Sequence, residues 1–189
     1  MKTKRVVNWL ISKNAIPEED RELYEYACNS FLYILFPIVL ALIVGIITKK
    51  IAEAMVFIVP FITLRNFCGG YHMRTVKQCI FASTVLFCFF FSLGRINVNQ
   101  WIYYPVNIVS AISIAVISPV VSDNKRINDD KIRKAKRTAI FIVLFYLIIS
   151  YVLFLTKRGS IARYLVLGQA LTAVLQWPCV VKKTNHQHN

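Results

Sequence analysis

The sequence predicts an all-α, polytopic integral membrane protein, and three observations lead to that class. Of its 189 residues, 57% are hydrophobic and only 17% are charged, and the mean hydropathy is +0.53. The apolar residues are gathered into stretches of about the length that a helix needs to cross a bilayer. The chain is also strongly basic, with a formal net charge of +14. A soluble domain interrupts its apolar runs far more often, so we expect a single membrane-embedded domain, 1–189.

Six apolar stretches are the candidates for transmembrane helices. The second and third are short, and the second also contains Glu53 and Pro60. We therefore expect about six transmembrane helices, with four spans plus two re-entrant or short segments as the alternative. The six stretches are Cys28–Thr48, Ile51–Leu64, Cys79–Gly94, Trp101–Val121, Ala139–Leu155 and Ile161–Val181.

Residues 1–27 precede the transmembrane region 28–181, and residues 182–189 form a cytoplasmic tail. Near the N-terminus, Val6, Trp9 and Leu10 are interleaved with basic residues, which is typical of an amphipathic helix lying in the membrane interface. Pro17 followed by three acidic residues predicts the start of a second helix, which runs on into the membrane. We expect the last five residues to be disordered. Two histidines in this tail are a weak alternative site for a metal.

The distribution of positive charge predicts the orientation. With six spans and both termini in the cytoplasm, 17 of the 23 Lys and Arg residues lie on the cytoplasmic side. Cytoplasmic loops of membrane proteins carry such an excess, so the termini are expected inside the cell. The four-span alternative leaves the loop between the second and third stretches on the same side.

The high net charge is interpreted as contact with anionic lipid, not with nucleic acid. A second role, the attraction of an acidic partner, stays open. The most charged segment is 122–138. It is either a solvated cytoplasmic helix and loop or a docking surface for a charged peptide.

The polar run between the second and third apolar stretches carries the clearest candidates for chemistry, His72 and Cys79. Cysteine is a good nucleophile only as the thiolate, so it needs a base or a lowered pKa. His72 is the only histidine outside the tail, and it is the ordinary candidate for a base that titrates near neutrality. This pair lies where an apolar chain emerges into water, which favours a catalytic site at the membrane boundary.

The seven-residue spacing of the pair constrains its geometry. In one continuous helix the two residues would be separated by about 10 Å along the axis, so the backbone must turn between them. Gly69 and Gly70 permit such a turn. Thr75 is a plausible N-cap of the following helix. Cys79 then falls one turn into that helix, near its positive end, where the thiolate is favoured.

Other interpretations of this run stay open. A histidine and a cysteine at this spacing also occur by chance. Cys68, His72 and Cys79 could be proposed as metal ligands, but they lack a fourth ligand and a standard spacing, so we expect no metal and no cofactor. No carboxylate lies in the loop to orient the imidazole. The pair acts either as a dyad or with a third group, for which the candidates are Glu53, Asp123, Asp129, Asp130, Asn66 and Gln78.

Arg65, the run Gly70-Tyr71-His72 and Cys79, in a basic polytopic chain of this length, resemble the AgrB family. The stretch Ser118–Lys125 resembles a second family segment that follows a membrane span. Arg126 departs from the pattern, because many members have proline after the lysine. That difference concerns the rigidity of the loop and not the chemistry.

AgrB proteins are membrane cysteine endopeptidases of Gram-positive quorum sensing. The resemblance therefore implies that this chain processes an AgrD-like propeptide, with Cys79 as nucleophile and His72 as general base. It also implies that Arg65 and Gly70 support activity, by holding substrate or letting its backbone approach. The implied product is a macrocyclic thiolactone or lactone, formed through an acyl-thioester on Cys79. Family members act as homodimers in the bilayer.

Two hypotheses from other classes compete with the peptidase. A small transporter or channel predicts charged or polar residues inside the spans, facing a pathway. Here the spans are almost free of charge, and Gln169 and Gln176 are the main polar exceptions. A non-catalytic scaffold, whose basic loops recruit acidic partners, is the third hypothesis.

Overall fold

The structure, a computed structural model, describes residues 2–13, 15–68, 76–96, 98–119 and 129–187. Within these ranges the chain forms α-helices and two short 3₁₀ helices, Glu18–Asp20 and Gln100–Ile102, and no strand. The predicted all-α class is confirmed. The α-helices are α1 (Lys2–Ser12), α2 (Arg21–Thr48), α3 (Ile51–Cys68), α4 (Val76–Leu93), α5 (Tyr103–Ile117), α6 (Asp129–Leu155) and α7 (Gly159–Gln187).

Contacts divide the chain into two compact units, residues 1–40 and 41–189. In the first unit, the predicted amphipathic segment is α1, with Val7 buried and Trp9 exposed. Arg21, the first residue of α2, forms an ion pair with Glu18 at 2.6 Å. It also donates a 2.8 Å hydrogen bond to the Asn8 side chain, which ties the start of α2 to α1.

Two tight turns of the same kind join helices in the second unit. After α2, Lys49 adopts φ 57°, and the Lys50 N–H donates to the Gly45 carbonyl at 2.8 Å. After α6, Lys157 adopts φ 60°, and the Arg158 N–H donates to the Leu153 carbonyl at 3.0 Å. This left-handed ending satisfies the last carbonyls of each helix and reverses the chain direction.

The last helix, α7, is the central helix of this unit. All ten residues from Tyr164 to Ala173 are buried. Helices α3, α4, α5 and α6 pack against α7, with α3 making the most extensive contact. A helix that is covered on every side lies in the interior of a bundle, so α7 is the element around which the others are arranged.

Helix α3 approaches α7 most closely at Gly168. A Cβ atom added at this position would overlap the Phe57 carbonyl oxygen and lie 3.0 Å from Cγ of Pro60. Only a glycine allows the two backbones to come this near. The Phe57 ring packs edge-to-face on Phe87 of α4, with ring centroids 5.0 Å apart.

Side-chain hydrogen bonds cross between the helices in the interior. Asn107 of α5 donates to the Ser150 hydroxyl of α6 at 2.6 Å. The hydroxyls of Thr63 in α3 and Tyr146 in α6 are 3.0 Å apart. Where water is absent, such bonds replace the ones that the polar groups would otherwise lose.

Three helical segments within the described residues are long and apolar enough to cross a membrane: Ile51–Cys68, Gln100–Ile117 and Ile132–Leu155. Leu35–Thr48 and Phe81–Leu93 are shorter apolar helical segments. The short second stretch of the sequence is thus one continuous helix of 18 residues, although Pro60 lies inside it. The outward faces carry large apolar side chains, among them Phe81, Val116 and Phe141, each 72% exposed, as lipid contact requires.

Several boundaries differ from the sequence prediction, and α3 itself continues past the predicted Leu64 to Cys68. The fourth stretch, predicted to run to Val121, is helical only to Ile117, because Pro119 favours an extended Ser118, which has φ −75° and ψ 147°. The charged segment before the fifth stretch is already helical from Asp129. The tail, predicted to be disordered from Asn185, continues α7 to Gln187. No glycine or proline follows Pro178 to end that helix.

Gly168→Ala tests the close packing of α3 and α7. The added methyl group should lower the free energy of unfolding by about 1–3 kcal/mol, the usual cost of overpacking. Gly159→Ala is the matched control, because the nearest atom to its added Cβ is 3.6 Å away. Thermal unfolding of both variants in the same detergent gives the comparison. If Gly168→Ala and Gly159→Ala unfold at the same temperature, the close packing of α3 on α7 is contradicted.

Candidate active site

The C-terminal end of α3 presents the first of the predicted site residues. Arg65 lies in the last turn of α3, and its guanidinium carbon is 5.7 Å from the centroid of the Phe61 ring. Stacking over an aromatic face attracts a cation and limits where the guanidinium can go. Arg65 is half-buried, so it remains accessible from the end of the helix.

The predicted nucleophile lies at the start of the next helix. Helix α4 begins at Val76, which agrees with the helix start expected after Thr75. Cys79 is therefore in the first turn of α4, where the peptide dipoles leave a partial positive charge. A helix N-terminus is one of the environments that lower the pKa of a thiol and raise its reactivity.

The segment between these two helices carries the remaining predicted residues. Gly70 and His72 fall at 69–75, outside the described residues. Cys68, the last residue of α3, leads directly into this segment, and Val76 follows it. The structure thus places Arg65 and the backbone of Cys79 on the two helix ends that flank the predicted base.

A buried polar cluster lies at the end of α3 and joins three helices. The side chains of Ser118 and Gln176 both lie beside the Cys68 thiol. Gln176 Nε2 also donates to the Ser118 hydroxyl at 3.1 Å. Cys68 and Gln176 are fully buried, and Ser118 is 3% exposed. We call these three residues the Cys68 cluster.

The Cys68 cluster connects the two parts of the sequence that carry the resemblance described above. Cys68 lies within the run from Arg65 to Cys79, and Ser118 opens the second segment at the end of α5. Cys68 and Ser118 are 50 residues apart in the chain. Because both lie beside Gln176, both segments leave the bundle from one place.

The sequence shows each member of the cluster as a separate feature but does not show that the three are in contact. Cys68 is a candidate metal ligand, Ser118 belongs to the second family-like segment, and Gln176 is a polar exception in an apolar stretch. The signal that could have found Gln176 is its amide, because a buried amide in a membrane helix needs a partner. Its partners could not be read from one sequence.

No group of three or more metal-binding side chains occurs among the residues that the structure describes. The set Cys68, His72 and Cys79 is not tested by this observation, because two of its side chains lie outside that part. Cys68 itself is fully buried beside Ser118 and Gln176. Its environment is that of a buried structural thiol.

The interior of the described bundle contains no charged side chain. Its buried polar residues are all uncharged: Asn107, Ser110, Ser118, Ser150, Gln169, Thr172 and Gln176. Charged residues inside membrane helices commonly mark ion and substrate pathways. The interior therefore gives no specific support to the transporter hypothesis.

A surface cavity of about 520 Å³ lies at the opposite end of the bundle, beside the turn between α6 and α7. Its lining includes Lys157 and Arg163 but no cysteine and no histidine. The nucleophile–base chemistry expected from the sequence therefore has no candidates in this cavity.

The fold and the flanking helix ends define an all-α membrane protein with a cysteine at a helix start. The model of the AgrB family, accessory gene regulator B, matches residues 3–177, and the chain belongs to this family. Membership places the protein in the accessory gene regulator system. The family match covers both sequence segments joined by the Cys68 cluster.

Two relatives from Clostridium perfringens are similar over most of their length. AgrB-like protein 2 of strain 13 / Type A is 21% identical over 190 residues, covering 94% of this chain and 88% of the relative. An AgrB-like protein of strain SM101 / Type A is 22% identical over 174 residues, covering 86% and 80%. No solved structure matches this chain.

The burial of Cys68 predicts that its thiol is protected from alkylation. In the folded protein in detergent, N-ethylmaleimide should modify Cys68 at least about 10²-fold more slowly than after unfolding in dodecyl sulfate, because modification requires local opening. Peptide mapping by mass spectrometry resolves Cys68 from the other cysteines, and Cys68→Ser confirms the assignment. Similar rates before and after unfolding would show that the cluster is not closed.

Proposed function

We propose that this protein is a membrane cysteine endopeptidase that cleaves an AgrD-like propeptide and promotes cyclisation of the signal peptide. The observation that carries the proposal is the position of Cys79 in the first turn of α4, directly after the segment that contains His72. Family membership supports it, since AgrB proteins process peptides.

In the first step, His72 takes the proton of the Cys79 thiol, and the thiolate attacks a carbonyl carbon of the propeptide backbone. Backbone N–H groups at the start of α4 are suited to stabilise the oxyanion that forms. The intermediate then collapses, the C–N bond breaks, and the leaving amine takes the proton back from His72. The N-terminal part of the propeptide remains as a thioester on Cys79, and the C-terminal part is released.

In the second step, a cysteine or serine inside the bound peptide attacks the thioester. His72 accepts its proton and returns it to the departing Cys79 thiol, so that the enzyme is regenerated and a ring closes. With cysteine as attacking group, one thioester replaces another and no ATP is needed. Water must be excluded, because hydrolysis would release a linear peptide instead.

Arg65 and Gly70 have supporting roles in this proposal. Arg65, held over the Phe61 ring, is suited to bind a carboxylate or carbonyl of the propeptide. Gly70 lets the substrate backbone approach the segment before α4, where a larger side chain would interfere.

The proposed enzyme is one multi-pass membrane domain of about six spans, with both termini and the His72/Cys79 loop in the cytoplasm. The positive charge of the cytoplasmic side supports this orientation. The same charge suits an acidic propeptide, and the bilayer collects its amphipathic leader. The proposed assembly is a homodimer, which cross-linking in native membranes would distinguish from a monomer.

Two substitutions test the catalytic pair. Cys79→Ala should abolish propeptide cleavage because it removes the nucleophile. His72→Ala should slow cleavage by about 10²–10⁴-fold, the usual contribution of a general base. Co-expression with the propeptide encoded near this protein, followed by mass spectrometry of membranes and medium, measures both. Cys88→Ala, in the middle of α4, is the control and should cleave normally.

Either of two results would contradict the proposed peptidase function. Cleavage that persists in Cys79→Ala would exclude the proposed nucleophile. A wild-type protein that is present in membranes but neither cleaves nor binds the propeptide would favour the transporter or the scaffold.

Reporter fusions test the orientation. Green fluorescent protein fused after Asn189 should fluoresce, since it folds inside the cell, and alkaline phosphatase fused after Lys157 should be active, since that turn is expected outside. The reverse pattern would place the His72/Cys79 loop outside the cell and contradict a cytoplasmic processing site.

A further inference from the structure

Gln176 is a member of the Cys68 cluster and has no role in the reaction steps proposed above. Its side chain is fully buried, and its amide nitrogen donates to the Ser118 hydroxyl at 3.1 Å. The Gln176 side chain also lies beside the buried Cys68 thiol. An amide nitrogen has two hydrogens, so one side chain can serve both partners.

We propose that Gln176 is a positioning residue of the peptidase, which holds the ends of α3 and α5 together where the two segments of the site leave the bundle. This inference rests on the proposed function. Gln176 acts through Cys68 and Ser118 and does not touch the reacting atoms.

The connection to the catalytic base is short. Cys68 precedes His72 by four residues, and α3 ends at Cys68. The contact of Gln176 with the buried Cys68 side chain therefore lies at the last anchored point before the base. Displacement of a catalytic group by about 1 Å can cost roughly 10²-fold in rate, so a distant anchor of this kind is consequential.

The connection to the second segment is equally direct. Ser118 follows α5, and Pro119 begins the connection to the charged first turns of α6. By holding Ser118 against Cys68, Gln176 keeps the start of this basic connection beside the end of α3. In the proposed enzyme, the basic segment that meets an acidic propeptide thus starts from the same point as the segment of the base.

The side-chain oxygen of Gln176 is the atom of the cluster whose hydrogen bonding is incomplete. Gln176 Oε1 is buried and has no hydrogen-bond partner among the residues that the structure describes. A buried acceptor without a donor is costly, so a donor from beyond the cluster is expected to complete it.

Gln169 provides a matched comparison on the same helix. It lies seven residues before Gln176 in α7 and is likewise fully buried. Neither atom of its amide has a hydrogen-bond partner in the described part of the chain. Replacement of an unpaired buried amide by a leucine of similar size is expected to be neutral or stabilising.

The test compares Gln176→Leu with Gln169→Leu in the full-length protein. Propeptide cleavage by Gln176→Leu should be slower by about 10²-fold, while Gln169→Leu should cleave at the wild-type rate. Thermal unfolding in detergent is measured for both, so that loss of the fold is recognised separately.

A second readout does not depend on the propeptide. The rate of Cys79 alkylation is measured against pH in wild type, His72→Ala and Gln176→Leu. If Gln176 positions the base, the pH midpoint of Cys79 alkylation in Gln176→Leu should move from the wild-type value towards the His72→Ala value. A role in stability alone would lower the unfolding temperature and leave the midpoint unchanged.

Substitutions at Cys68 separate hydrogen bonding from thiol chemistry. Cys68→Ser keeps a hydrogen-bonding group and should retain cleavage, whereas Cys68→Ala removes it and should resemble Gln176→Leu. These variants keep the inference testable if Gln176→Leu does not fold.

The outcomes distinguish this inference from the proposed function. If wild type cleaves through Cys79, while Gln176→Leu cleaves equally fast with an unchanged alkylation midpoint, the positioning role is wrong and the peptidase stands. If the wild-type protein does not cleave the propeptide, the proposed peptidase function is wrong. A shift of the midpoint in Gln176→Leu would then still show that the cluster controls Cys79.

Discussion

The close packing of α3 on α7 is the contact on which the rest of the structure depends. Gly168 lets the two backbones approach, and the ten-residue buried run of α7 is then enclosed by its neighbours. Without water or a strong apolar driving force inside a membrane, such backbone proximity and interhelical hydrogen bonds hold helices together. The position of α3 along α7 decides where Cys68 meets Gln176.

The packing of α3 on α7 bears on function at the C-terminal end of α3, where the Cys68 cluster lies. Cys68, Ser118 and Gln176 close the interior at the point where α3 and α5 end, and Gln176 donates a hydrogen bond to Ser118 there. The segment with the proposed base and the segment with the basic residues both start there. In the proposed enzyme, this boundary of the apolar bundle is where thioester chemistry would be shielded from water while a charged propeptide keeps access.

Much of this architecture could be predicted from the sequence, because long apolar stretches and charged connections determine membrane helices directly. The start of α4 before Cys79 followed from local patterns. The continuous helix through Pro60 did not, because that short stretch was equally compatible with a re-entrant segment. The end of α5 differs from the predicted Val121 by four residues, because Pro119 favours an extended Ser118. The Cys68 cluster could not be predicted, since its members are brought together by packing across three helices. The catalytic roles of His72 and Cys79 stay predictions.

The most direct measurement combines the purified protein with a synthetic propeptide in which the ring-forming residue is replaced by alanine. The first step can then occur and the second cannot. Intact-protein mass spectrometry should show the N-terminal fragment attached to Cys79 by a bond that hydroxylamine cleaves, with the C-terminal fragment free in solution. Release of the C-terminal fragment with no adduct, continuing in Cys79→Ala, would contradict covalent catalysis by this cysteine.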